Sequence, residues 1–215
     1  MSLNSHFFLT QFQLQQRWLE NQVSSKTRHN IEIYLANHLS RALRLDSAVC
    51  VSVSHTSQYM LIRNWFRLVS RLGDGVFWYT LMAAILLTQQ KSGLLPVIHM
   101  AIVGLSGTLL YKWLKRKTHR PRPAQVHQDV WVTGKPLDYF SFPSGHTLHA
   151  VVFSVIALSY YPQLAFILMP FTMMVAMSRV VLGLHYPSDV LAGGTIGYLL
   201  AQLSIQLLLV FNQLI

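Results

Sequence analysis

Three short clusters, far apart in the chain, contain residue types that hold a phosphate and act on it. They are Lys115 with Arg122-Pro123, then Pro143-Ser144-Gly145-His146, then Ser178-Arg179 with His185 and Asp189. Lys115, Arg122 and Arg179 supply cations to match the oxygens of a transferring phosphoryl group. An Arg fork gives bidentate contacts, whereas Lys acts as a point charge. His146 and His185 supply imidazoles for acid and nucleophile roles. Each cluster alone has a plainer reading. Lys112, Lys115, Arg116 and Lys117 also read as a basic collar beside a membrane. Pro-Ser-Gly-His also reads as an ordinary helix start, and Asp189 as a helix cap.

Local rules sharpen these readings. Pro121 and Pro123 remove backbone donors and push the preceding residues out of helical geometry, so Arg120 and Arg122 are held extended, free to aim at an anion. Pro143 suits a helix entry, and the N–H groups of Ser144, Gly145 and His146 then form an anion cradle at the positive end of the helix. Pro187 suits the first position of a following helix, which puts Asp189 near its third. A carboxylate there reaches back toward the helix entry and meets His185, leaving the other ring nitrogen free to attack phosphorus. Other histidines are weaker candidates. His149 follows His146 by three positions, without an acidic or sulfur partner for a metal. His99, inside an apolar run, reads as neutral and hydrogen-bonded between helices. His119 and His127 read as loop residues near the site.

The elements that must position these residues are apolar. The chain has 215 residues, 52% hydrophobic and 11% charged, with a mean hydropathy of +0.37. A soluble domain carries about 25% charged residues, so too little polar surface remains here for a water-soluble globule. Candidate spans are Val76–Thr88, which must borrow from its flanks, then Leu94–Leu114, Thr147–Tyr161, Leu164–Leu182 and Val190–Leu214. The expected fold is all-α: an integral membrane bundle of five transmembrane helices with an N-terminal amphipathic segment. Ala48–Ile62 is a poor sixth candidate, because Ser52, Ser54, His55, Thr56, Ser57 and Gln58 fall inside it. Gly193 and Gly197 form a small-xxx-small pair for close helix approach.

An up-and-down path places the end of the second span, the start of the third and the turn between the fourth and fifth on one membrane face. Those are the positions of the three clusters. The expected division is an amphipathic segment over 1–70 and a membrane-embedded domain over 71–215. In the former, Ile31, Leu35, Leu39 and Leu43 recur at helical spacing, with Arg28, Arg41 and Arg44 elsewhere on the wheel, and Arg63–Leu72 repeats the theme. The first thirty residues, with Gln11, Gln13, Gln15, Gln16 and Glu20, show no apolar leader core. Cys50 stands alone, so no internal disulfide is expected. The formal charge of +10 sits beside spans rather than on one soluble module, which disfavours nucleic acid as a partner.

Together, Lys115-x6-Arg122-Pro123, Pro143-Ser144-Gly145-His146 and Ser178-Arg179-x5-His185-x3-Asp189 resemble the complete signature of the type 2 phosphatidic acid phosphatase superfamily. That superfamily also includes soluble acid phosphatases and vanadium haloperoxidases. The similarity runs from about Leu68 to the C-terminus. It implies a lipid phosphatase in which His185 forms a phosphohistidine, Asp189 orients it, and His146 protonates the leaving group and then activates water. Lys115, Arg122, Arg179, Ser144 and Gly145 bind the phosphoryl oxygens, with no metal and no cofactor. The implied partners are a phosphorylated membrane lipid (monoester or diphosphate) and the bilayer. A phosphotransferase passing the group to another lipid is the alternative enzyme, and a scaffold or transporter with a vestigial pocket the non-enzyme alternative. A haloperoxidase would not need five spans. The implied location is a bacterial-type cytoplasmic membrane with the pocket on the outer face. The positive-inside rule on five spans points the other way, and a sixth span would reconcile the two. The loop Ala124–Ser141, with Trp131, Asp138, Tyr139 and Phe140, is expected to influence headgroup preference.

Overall fold

The computed structural model describes residues 27, 29–34, 37, 38, 40–134 and 138–214. Leu35 and Leu39 of the N-terminal periodicity, Arg28, the glutamine-rich start and residues 135–137 of the Ala124–Ser141 loop lie outside the described residues. Two compact units are present, Met1–Leu45 and Asp46–Ile215. In the first, the described residues are helical, and Ile31, Leu43 and Leu45 are exposed.

The second unit opens with helical residues 46–54. A 3₁₀ turn, His55–Gln58, follows, and Tyr59 is extended at φ −74°, ψ 123°. The run Ala48–Ile62 is therefore interrupted rather than one continuous span. Its hydroxyls serve the local backbone instead: Ser54 Oγ donates to Val51 O (2.8 Å), Thr56 Oγ1 to Val53 O (2.7 Å) and Ser57 Oγ to Ser54 O (2.8 Å). Six longer helices follow: α1 (Met60–Arg71), α2 (Phe77–Gln89), α3 (Leu94–Thr118), α4 (Gly145–Tyr160), α5 (Ala165–Val181) and α6 (Pro187–Leu214). No strand occurs among the described residues. Helices α2 to α6 match the five expected spans to within a few residues. By length and composition, Met60–Val126 (which contains α2 and α3), Pro162–Val181 and Pro187–Phe211 are long and apolar enough to cross a membrane. Helix α4 is shorter, about 24 Å at 1.5 Å per residue.

That short helix is the centre of the bundle. It packs against α3, α5 and α6, and Leu148, Ala150, Val152, Ile156 and Ala157 are fully buried. Against lipid, apolar burial gives helices little reason to associate, so close backbone approach carries the packing. Glycines supply it. A Cβ on Gly193 would sit 2.4 Å from Ser144 O, and one on Gly197 2.6 Å from Leu148 O. Helix α6 thus lies directly on the first turns of α4. The outward faces of the bundle are apolar, as at Leu87 and Phe166. His99 on α3 bridges two helices as expected, with Nδ1 3.0 Å from Tyr160 Oη and Nε2 3.0 Å from Ser204 Oγ.

Candidate active site

The end of α3, the start of α4 and the α5–α6 turn meet at one end of the bundle. His119 ends α3 in the left-handed conformation (φ 48°, ψ 25°). Arg122 is then extended (φ −75°, ψ 156°) before the short helical turn Pro123–Val126, as the two prolines require. Two long-range bonds tie the loops together: Ser144 N–H donates to Asp189 O (3.0 Å), and Ser141 N–H to Arg120 O (2.9 Å).

Between them lies a cavity of about 150 Å³ lined by Lys115, Arg122, Gly145, His146, Arg179 and His185, with Gly73, Asp74, Tyr111, Asp138 and His149 completing the wall. The three cations are buried, each no more than 5% exposed. Lys115 Nζ donates to Asp138 Oδ2 (2.8 Å) and Phe140 O (3.0 Å). Arg122 donates through Nε to Asp138 O (2.8 Å) and through Nη1 to Leu184 O (2.7 Å). Arg179 Nη1 donates to Ser70 Oγ of α1 (2.6 Å), while its Nε is buried without a partner. An unpaired buried guanidinium donor is costly unless an anion completes it.

The α5–α6 turn aims His185. Gly183 takes a positive φ (68°), and the N–H groups of Leu184 and His185 both donate to Arg179 O (3.0 and 3.1 Å). This brings His185 Nε2 to 3.4 Å from Arg122 Nη1 and Nδ1 to 3.5 Å from Asp189 Oδ2. Burial first, then Arg179, Arg122 and Lys115, hold the imidazole well below its usual pKa range. That lowering favours the neutral ring. Asp189 Oδ2 also accepts from Tyr186 N–H (3.0 Å), the reach toward the helix entry that the spacing implies.

Asp189 is held from its other side by a residue outside the three motifs. Arg120 Nη1 donates to Asp189 Oδ1 (2.7 Å), its Nη2 to Asp46 Oδ2 (2.7 Å), and its guanidinium stacks 4.2 Å from the Tyr186 ring centroid. Asp46 Oδ1 in turn accepts from Ser188 N–H (2.9 Å). Arg120 does aim at anions, but these are the protein's own carboxylates.

One further placement differs from sequence reasoning. Ser144 is fully buried behind the cavity wall; its N–H is taken by Asp189 O and its Oγ lies 3.0 Å from Thr147 Oγ1. Of the expected cradle, Gly145 and His146 face the cavity. His149 is engaged with α3, its Nε2 3.1 Å from Gly104 O and 3.0 Å from Thr108 Oγ1. His127 Nε2 lies 3.0 Å from Ser47 Oγ. The residue missed altogether is Asp74, whose Oδ1 bonds His146 Nε2. Its signal was a lone carboxylate between two glycines at the edge of an apolar run.

The family model of the PAP2 superfamily matches residues 94–212, more than half of the chain. The chain belongs to the PAP2 superfamily. Among its members, a lipid A 1-phosphatase of Rhizobium etli is 33% identical over 93 residues, 41% of this chain and 40% of that protein. This chain therefore spans about two fifths of the length of that relative in the match. An undecaprenyl-diphosphatase of Sulfolobus acidocaldarius is 32% identical over 143 residues, 65% of this chain and 67% of that protein. The crystal structure of a transmembrane PAP2-type phosphatidylglycerolphosphate phosphatase from Bacillus subtilis superposes with a TM-score of 0.61 at 26% identity, covering 78% of this chain and 86% of that one. These relatives thus share part of their sequence with this chain, and the Bacillus subtilis phosphatase shares its helical fold.

Proposed function

We propose that the chain is an integral membrane phosphatase that hydrolyses a lipid phosphate through a phosphohistidine on His185, without a metal. The observation that carries this reading is a single cavity lined by both imidazoles and all three cations of the motifs. In the first step His185 Nε2 attacks phosphorus, the P–O bond to the lipid breaks, and His146 gives its proton to the departing oxygen. Asp189 holds the His185 ring by its Nδ1 side and stabilises the charge that develops there. In the second step His146 takes a proton from water, whose oxygen attacks phosphorus while the P–N bond breaks and phosphate leaves. Lys115, Arg122 and Arg179, with the first-turn N–H groups that Ser144 and Gly145 set in place, stabilise the charge on the phosphoryl oxygens.

Purified protein in detergent with a chelator, given phosphatidate, phosphatidylglycerol phosphate, a polyprenyl diphosphate and a lipid A 1-phosphate, should release inorganic phosphate from at least one. Transfer of label to a second lipid instead would identify the phosphotransferase. Turnover of none would end the enzyme reading.

For location we propose a bacterial-type cytoplasmic membrane, multi-pass, with the pocket on the outer face, in line with the family expectation. Helix α6 starts beside the site and runs about 42 Å away from it, so the C-terminus belongs to the opposite face. In intact spheroplasts a C-terminal tag should resist added protease while a cleavage site inserted in loop 127–134 is cut. The reverse pattern would invert the orientation.

A further inference from the structure

We propose that Asp74 makes this site selective for phosphate monoesters with an uncharged leaving group, and against lipid diphosphates; the inference rests on the phosphatase reading above. Its basis is where the fold places one carboxylate. Asp74 lies in the wide helical turn Leu72–Val76 that joins α1 to α2. Gly73 presses that turn onto α5, where an added Cβ would sit 3.0 Å from Val175 Cγ2, and Gly75 takes φ 137°, a backbone conformation closed to most side chains. The two glycines thereby bring the carboxylate against His146 Nε2. Its side chain keeps 39% of its surface accessible.

That accessible surface faces three spaces. Asp74 lines the phosphate cavity. It also lines an apolar cavity of about 360 Å³ between α2, α3 and α4, walled by Trp78, Met82, Leu105 and Phe153. The third is a polar cavity of about 430 Å³, where Arg67 and Arg71 of α1 stand. The leaving oxygen receives its proton at His146, so whatever is bonded to that oxygen passes Asp74. A lipid tail continues into the apolar cavity.

Two consequences follow from the chemistry. In a monoester the next atom is a carbon of an uncharged skeleton, and any hydroxyl near it donates to the free carboxylate oxygen. In a diphosphate the next group is an anionic phosphoryl, set beside a carboxylate where little water screens the repulsion. Arg179 is engaged by the transferring group, and Arg67 gives its Nε to Thr133 O (2.7 Å) on the polar side. An alkoxide is also a far poorer leaving group than a phosphate. It needs a proton from His146, whose Nε2 faces Asp74, whereas a phosphate leaving group needs it little.

The test compares dodecyl phosphate with dodecyl diphosphate, which share one tail, in the same detergent. For the wild type kcat/KM should favour the monoester at least tenfold. Asp74→Asn, which keeps the shape and removes the charge, should move that ratio at least tenfold toward the diphosphate, and Asp74→Glu should keep the monoester preference. A ratio in the Asn variant within twofold of wild type, or a wild type that prefers the diphosphate, would overturn the inference while leaving the phosphatase reading intact. Should the Asn variant not fold, Asp74→Ser, which also removes the charge, carries the same expectation and the same overturning result. A wild type that hydrolyses neither compound nor any lipid of the panel above would remove the phosphatase reading, and this inference with it.

Discussion

In a His185→Ala variant the phosphoryl label carried by the wild-type protein should vanish, with turnover falling on the order of 10⁴-fold or more, as when other covalent nucleophiles are deleted. The setting of the ring explains the size of the effect. His185 is 2% exposed, favoured in its neutral form by burial and three cations, and backed by Asp189. The other two imidazoles lining the cavity have Nε2 already engaged, that of His146 by Asp74 and that of His149 by Gly104 O. Rapid quenching after mixing with labelled lipid phosphate should trap an acid-labile, alkali-stable adduct on the wild type and nothing on the variant. An alanine variant turning over at near wild-type rate would show that the nucleophile lies elsewhere.

Replacing Arg179 should cost ~3 kcal/mol or more of transition-state stabilisation, about 10²-fold or more in kcat, judged from donor deletions in other anion-stabilising sites. Even Arg179→Lys should show most of this loss. The native guanidinium divides its donors, one held by Ser70 Oγ at 2.6 Å and Nε left unpaired. A lysine keeps the charge but not a fork that spans both positions. Steady-state kcat on a saturating lipid phosphate checks it, with thermal unfolding in detergent to confirm that the variant folds. A kcat within threefold of wild type in the lysine variant would mean that Arg179 contributes charge alone.

Much of this was legible before any coordinates. Apolar run lengths located α2 to α6, because spanning helices are set by bilayer thickness and every backbone group must be satisfied within the helix. The order of the motifs along an up-and-down path placed Lys115, Arg122, His146, Arg179 and His185 at one end. What could not be read was set by contacts between distant segments. Ser144 N–H is spent on Asp189 O, a pairing 45 residues apart in the numbering of the chain, which moved Ser144 from the expected cradle to a place behind it. Proline rules correctly held Arg122 extended, but nothing local says that the anions Arg120 meets are Asp46 and Asp189. Asp74 reaches His146 because Gly75 takes a φ of 137°. The polar run at 52–58 overlaps the place where the structure interrupts the helix.

The brace on Asp189 starts well upstream of the motifs. Asp46 grips Arg120, Ser70 grips Arg179 and Asp74 grips His146, yet all three precede the matched region 94–212. A fragment trimmed to that region would carry every signature residue and still lack the outside hold on Arg120, Arg179 and His146. The segments before residue 94 are thus structural parts of this site, and the matched region alone would draw its border too late.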